Sequence, residues 1–325
     1  MRYYPSSLLE STSWYSFNDT YVEKSRWYLP RLSDPSILLP SESPDGKWHL
    51  FCHTWLGIHH YTSLSGLNWK MAGKVVFLRA HSPFIYRESG VYHMLFERHD
   101  FEKRDKDVTK NASRIYLSSS EDLFHWSEPR PILDASRVSS SSYRMGPCRV
   151  SRPQLISWQG RYILYFGAGE ARMFDTGQKT SVRLMYAESD FIEGPYKVRN
   201  KCVLEIEPDG PYRSLATGSV RIFPCSDAVC AVECSYVYDR QRNRSRSLML
   251  LLKSTDALNF ETVRVMHSQS EEGFASRAIT SADLKYMESE NTWYCYYSAN
   301  NKERHYPFVR EALGLLLGRS GALKK

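Results

Sequence analysis

Five short segments of this chain end an apolar strand in serine: residues 58–63 (IHHYTS), 114–120 (RIYLSSS), 183–189 (RLMYAES), 248–254 (LMLLLKS) and 314–320 (GLLLGRS). The first four then run through a turn into an aromatic residue: SLSGLNW to Trp69, SEDLFHW to Trp126, SDFIEGPY to Tyr196 and STDALNF to Phe260. Serine to aromatic is six residues in three cases and seven in the other, and the aromatics recur every 57, 70 and 64 residues. Spacing of this kind marks repeated supersecondary units that stack because none can bury its apolar face alone.

A second series precedes the first. Asp34-Pro-Ser-Ile-Leu leads to Trp48-His-Leu-Phe, and Ser82-Pro-Phe-Ile-Tyr leads to Val91-Tyr-His-Met-Leu-Phe. Arg152-Pro-Gln-Leu-Ile leads to Tyr162-Ile-Leu-Tyr-Phe, Ser219-Val-Arg-Ile-Phe to Val229-Cys-Ala-Val, and Ser281-Ala-Asp-Leu-Lys to Trp293-Tyr-Cys-Tyr-Tyr. The turns between them (SPDG, ESG, WQG) carry hairpin chemistry. Each unit thus reads as four strands, and five units predict an all-β chain, a five-bladed β-propeller of four-stranded antiparallel blades. A single domain, 1–325, is expected, with blades starting near 34, 82, 152, 219 and 281.

The fifth unit stops at Ser320, five residues before the last residue of the sequence, which leaves no room for its outer strand. Residues 1–33 are therefore expected to close the ring, through a strand within 13–28, so that no sheet edge stays open. A β-sandwich or two smaller β domains is the alternative. No Pro/Gly/Ser linker divides the chain in its favour, and residues 136–142 (SRVSSSS) read as a blade-to-blade loop.

Composition narrows the function classes. The 22 Tyr, 14 Phe and 8 Trp form an aromatic excess of the kind found in strands and in sugar-binding sites. Net charge is +7, but the densest charged run, 102–110 (EKRDKDVTK), mixes signs, so nucleic acid is not the expected partner. The seven cysteines include no CxxC pair, so neither a zinc site nor a disulfide framework is expected. No cofactor is expected, a structural cation in the central channel being the one option left open. No apolar run approaches membrane-span length and the first residues hold no signal-type apolar segment, so no membrane partner and a cytoplasmic location are expected. Oligomeric state is not set by these features.

The segment DPSILLPSESPDGKWHLFCHT, followed by IHHYTSLSGLNW, resembles the first blade of the five-bladed propeller glycosidases, glycoside hydrolase families 32, 43, 68 and relatives. In that group an Asp-Pro opens blade one, a YHLFY-like strand follows, and a turn ending in tryptophan closes the blade. The resemblance implies that Asp34 matches the group's blade-one carboxylate, a general base in inverting members and a nucleophile in retaining ones. It implies a carbohydrate substrate and hydrolysis or transfer of a terminal sugar. The chain also departs from the pattern. The group opens later blades with a second aspartate and with the glutamate that protonates the leaving group. The matching openings here are His81-Ser82, Arg152-Pro153 and Thr217-Gly218-Ser219. A catalytically degenerate propeller that binds a glycan or a protein partner is the second reading.

Other carboxyls are therefore candidates for the acid. Second strands of propeller blades return to the channel mouth, and their ends hold His53-Thr54-Trp55, Glu97, Glu170, Glu233 and 298–301 (SANN). Glu97, Glu170 and Glu233 are the candidate partners of Asp34, since glycoside hydrolysis needs two carboxyls flanking the bond. Each also has a purely structural reading: a surface salt bridge for Glu97, pairing with Arg172 for Glu170, and a paired carboxylate within an apolar strand for Glu233. Arg152 is read as a fork for an anionic ligand group or as the partner that keeps Asp34 ionised. His53, Trp55 and His81 are expected to position substrate, with Tyr143 and His305 as more distant candidates.

Overall fold

The computed structural model describes residues 3–18, 21–25, 29, 31–99, 113–138, 149–305 and 308–320, the side chains of 302–310 and 320 excepted. The readings of 102–110, of 139–142, of Tyr143, of Cys148 and of the His305 side chain lie outside this set.

Five antiparallel blades form a propeller ring. Blade one holds Ser33–Leu38, Trp48–His53, Gly57–Ser63 and Lys70–Met71; blade two holds Ala80–Glu88, Val91–His99, Ser113–Ser120 and Arg130–Asp134. Blade three holds Val150–Trp158, Arg161–Ala168, Arg183–Ser189 and Lys197–Glu205. Blade four holds Ala216–Pro224, Val229–Asp239, Arg244–Ser254 and Glu261–Ser268. Blade five takes Ala278–Met287, Thr292–His305 and Phe308–Ser320 from the C-terminal end, and its outer strand, Thr12–Ser16, from the N-terminal end. Thr12 lies opposite Ser320 and Ser16 opposite Leu316, so an N-terminal strand closes the ring.

The serine that ends each third strand has a structural job. Ser63 Oγ accepts the Gly66 N–H at 3.0 Å, Ser120 Oγ that of Leu123 at 2.9 Å, Ser189 Oγ that of Phe191 at 3.1 Å and Ser254 Oγ that of Asp256 at 3.3 Å. One hydroxyl thus satisfies the turn backbone that no strand can reach. The aromatic that follows fills the seam toward the preceding blade. Trp69 packs with Trp48, Tyr296 and Leu313 between blades five and one, and Trp126 against Phe51 and Phe96 between one and two. Tyr196 sits with Leu95 and Leu164 between two and three, and Phe260 against Ala231 and Leu250 between three and four. In the fourth-to-fifth seam that part falls to Trp14, from the closing strand, against Cys295 and Leu316. Burial of one large ring per seam contributes about 2 kcal/mol each and ties every blade to its neighbour.

Every first strand carries a register shift near its start: between Ser33 and Ser36, His81 and Phe84, Ser151 and Gln154, Ala216 and Ser219, and Ile279 and Ser281. In blades one to three the inserted pair is a residue followed by proline, and Asp34, Ser82 and Arg152 take left-handed backbone at φ of 50°, 53° and 49°. Such bulges re-aim a side chain, and a non-glycine residue persists there only where its surroundings fix it. Blade four uses Gly218 (φ 69°) instead, and blade five inserts only Thr280.

Beside these bulges one side chain reaches across the ring. Arg221, on the first strand of blade four, is buried. It donates from Nη1 to Gln154 Oε1 of blade three at 3.1 Å and from Nη2 to the Pro35 carbonyl of blade one. Its Nε lies 3.2 Å from Asp283 Oδ1 of blade five, and its guanidinium stacks 5.0 Å from the Phe84 ring of blade two. A single guanidinium therefore touches all four other blades.

Candidate active site

The bulges of blades one to three bring three unlike side chains to the channel mouth. Ser82 Oγ donates to Asp34 Oδ2 at 2.6 Å, and Arg152 Nε donates to Asp34 Oδ1 at 3.3 Å. The Asp34 N–H donates to Ser281 Oγ of blade five at 3.0 Å, which fixes the strained residue from behind. Burial opposes the Asp34 charge, but the Arg152 guanidinium and the Ser82 hydroxyl outweigh it and hold the carboxyl well below the usual carboxylate range. The cavity between these groups, lined by Asp34, Ser82, Arg152, Ser219, Arg221 and Ser281, measures about 10 Å³, room for one water molecule.

His53 stands beside this carboxylate, its Nδ1 3.4 Å from Asp34 Oδ2. That nitrogen accepts the Ser82 N–H at 3.2 Å, so the ring proton sits on Nε2, and burial holds the imidazole neutral by pushing its pKa well below the ordinary histidine value. His53 has counterparts: the residue paired with the last position before the bulge is His53 in blade one, Glu97 in blade two, Gly167 in blade three, Tyr236 in blade four and Ala299 in blade five. His53, Glu97 and Tyr236 each reach the next blade, at Ser82, at Arg149 just before blade three, and at Ile279. His81 packs edge-on to His53, with ring centroids 5.0 Å apart, and edge-on to His99 at 6.4 Å. His99 Nε2 lies 3.0 Å from Glu97 Oε1. A line of polar groups therefore runs from Asp34 through three histidines to Glu97. Trp55, at the tip of the next hairpin, is 58% exposed.

The three glutamates are all held by arginine. Arg149 grips Glu97 from Nε and Nη2, at 2.8 and 3.1 Å, and reaches Glu170 from Nη1. Lys179 Nζ, rather than Arg172, is the second partner of Glu170, at 2.8 Å. Burial raises both carboxyls, but Arg149 more than offsets it, and both titrate below the ordinary glutamate range. Glu233 differs. The second strand of blade four runs on to Asp239, so Glu233 lies within the strand, opposite Val220, and not at its end. By strand alternation it shares the face of Ala231, toward blade three, where Arg213 grips it from Nε and Nη2 at 3.2 and 2.9 Å. Burial there outweighs Arg213, and the carboxyl is pushed up. The side chains of Glu97 and Glu233 are fully buried, while that of Glu170 is 24% exposed.

The blade-four opening has no space for an acid at its left-handed residue. A Cβ on Gly218 would meet the Cys234 carbonyl oxygen at 2.0 Å. Sequence reasoning named Arg152 but missed Arg149 and Arg213, although a signal was present: Arg31, Arg79, Arg149 and Arg277 each stand three residues before the inserted residue of their blade, and Arg213 holds the nearest equivalent place in blade four. Among the described residues no cluster of His, Cys, Asp and Glu has the arrangement of a metal site. The six described cysteines are free thiols. No described helix is long and apolar enough to cross a membrane.

No protein-family model matches the chain, and no curated protein matches it. Solved structures do. One named only as a glycoside hydrolase superposes with a TM-score of 0.62 at 13% identity, over 98% of this chain and 96% of its own. An exo-1,5-alpha-L-arabinanase from a bovine ruminal metagenomic library gives 0.57 at 13% identity, over 93% and 96%. Zg3597, a family 117 glycoside hydrolase from the marine bacterium Zobellia galactanivorans, gives 0.56 at 14% identity, over 96% and 92%. Over nearly its whole length the chain thus shares the fold of the five-bladed propeller glycosidases.

Proposed function

We propose that this protein is a glycoside hydrolase that removes a terminal sugar unit, with Asp34 as the channel carboxylate. The observation that carries the reading is the blade-one bulge, which spends left-handed backbone on an aspartate and surrounds it with a serine hydroxyl and a guanidinium. An ionised, hydrogen-bonded carboxylate at a channel mouth suits a nucleophile or base and not a proton donor. The reach of Arg221 across the ring favours a chain end over a chain middle. His53, His81, Arg152 and Trp55 would position the sugar. Of the candidate acids, Glu97 and Glu233 are fully buried under arginines and Glu170 is the most exposed, which favours it as the acid. Asp34, itself 8% exposed beside a one-water cavity, requires the mouth to open for the sugar. Arg149 and Lys179 keep Glu170 ionised in the free protein, and the reading requires that bound substrate loosen that grip.

The leaving group tests this assignment. Among aryl and alkyl arabinofuranosides, xylosides, fructosides and galactosides, Glu170→Gln is expected to keep turnover of a dinitrophenyl glycoside and to lose about 10²-fold or more on the matching alkyl glycoside. Equal effects on both substrates would remove Glu170 from the acid role. A second reading is favoured by Arg152 and Gly218 at blade openings where the resemblance to the propeller glycosidases implies carboxyls: a propeller that binds a glycan without cleaving it. No turnover on the whole panel, with a sugar still raising the melting temperature, would establish it.

A further inference from the structure

A second cavity, of about 180 Å³, lies among the hairpin of Ala171–Arg172 and Lys179–Thr180, blade four, and the start of blade five. It is small for a drug-sized ligand and suits a single sugar residue. Its lining includes Asp175, Arg244, Ser245, Gln269 and Arg277, with the Glu271 carboxylate beside it on Arg244. The acceptors are already engaged. Asp175 takes the Ser245 hydroxyl at 2.6 Å and the Ser245 N–H at 2.9 Å, and Gln269 Oε1 takes the Ser247 N–H at 3.1 Å. Of the donors, Arg277 Nη2 is engaged with the Thr176 carbonyl. Arg244 holds the exposed carboxylate of Glu271 through Nη2 alone, and its Nε–H is buried without a hydrogen-bond partner.

An aromatic platform adjoins this cavity. Tyr238 lies directly opposite Ser245 in the strand pair, which puts both side chains on one face of the blade. Phe174, next to Asp175 in sequence, packs edge-on to Tyr238 with ring centroids 6.0 Å apart. Both rings remain largely in solvent, at 62% and 41% exposure. Exposed paired aromatics beside a polar hollow offer a flat apolar face to the C–H side of a sugar ring, while the guanidinium forks recognise carboxylate.

We infer that this cavity binds a carboxylate-bearing sugar residue, a uronic acid unit of a glycan, apart from the channel mouth. Arg244 and Arg277 take the carboxylate, and Phe174 and Tyr238 take the ring face. The excess of basic residues in the chain agrees with an anionic glycan as partner. The site does not depend on the channel being catalytic, so binding is measured directly and not through turnover.

The test is titration calorimetry of the full chain with glucuronic acid, with glucose as the neutral control. Glucuronate is expected to bind at least tenfold more tightly than glucose, more weakly at high salt, and at least tenfold more weakly to Arg277→Gln and to Phe174→Ala, while Asp34→Asn binds as the native chain does. Phe174→Ala removes an exposed ring, and a native melting temperature confirms its fold. Equal binding of glucose and glucuronate would overturn the inference. So would glucuronate binding that survives both pocket variants, or that disappears in Asp34→Asn.

Discussion

Blades one to three and blades four and five open on the same bulge but fill it differently. In the first three, a left-handed residue before proline sends Asp34, Ser82 and Arg152 toward one another, and they form a hydrogen-bonded charge cluster. In the other two, Gly218 and Thr280 bring no charge, and what these blades contribute is the Ser281 hydroxyl behind Asp34 and the Arg221–Asp283 pair beside it. One half of the mouth holds the charge cluster, and the other supports it. The opposite behaviour of two buried carboxyls makes the same point. Asp34 and Glu233 each face an arginine, yet Asp34 is held ionised while Glu233 is pushed up, because burial at Glu233 outweighs Arg213 and Glu207 lies nearby as a like charge.

The comparison can be broken most forcefully at the residue that joins the two halves. Arg221→Met leaves Asp283 buried without its ion-pair partner and is expected to lower the unfolding free energy by about 3–5 kcal/mol, measured by urea denaturation. A loss under about 1 kcal/mol would mean that the blades do not depend on this hub. Next comes Gly218→Ala, which places a Cβ against the Cys234 carbonyl at positive φ and is expected to cost more than about 1 kcal/mol. A neutral result would show that the blade-four bulge is free to move and could have carried an acid.

The smallest expected effect is in pH dependence. Asp34 and Glu97 titrate lower in the folded chain than in the unfolded one, so they add stability above about pH 4 that is lost as the pH falls through their folded values. Glu233 titrates higher when folded, so its contribution is full below about pH 4 and declines as the pH rises through its folded value. Glu233→Gln should therefore gain stability relative to the native chain as the pH is raised from 4 to 7, read from denaturation midpoints. A difference that runs the other way would place Glu233 with Asp34 and Glu97.

Much of the fold was legible because its devices repeat. In four units a serine that caps the turn and a ring that fills the seam recur at nearly fixed spacing. Asp34 was singled out differently, through the Asp-Pro opening by which blade one resembles the propeller glycosidases. The grip on the glutamates was not legible. Arg149 and Arg213 act from segments just before the blades, and their partners stand on neighbouring strands 52 and 20 residues away in sequence. Glu233 was placed at a strand end because the continuous apolar run stops at Val232, whereas pairing with Arg244–Ser254 carries the strand on to Asp239.

The central claim is that the blade-one carboxylate performs glycosyl chemistry. Its most direct test compares native chain and Asp34→Asn on the best aryl glycoside of the panel, with melting temperature as the control for folding. The account predicts a loss of turnover of about 10³-fold or more with the fold intact. Turnover retained in full by a folded Asp34→Asn protein would contradict it.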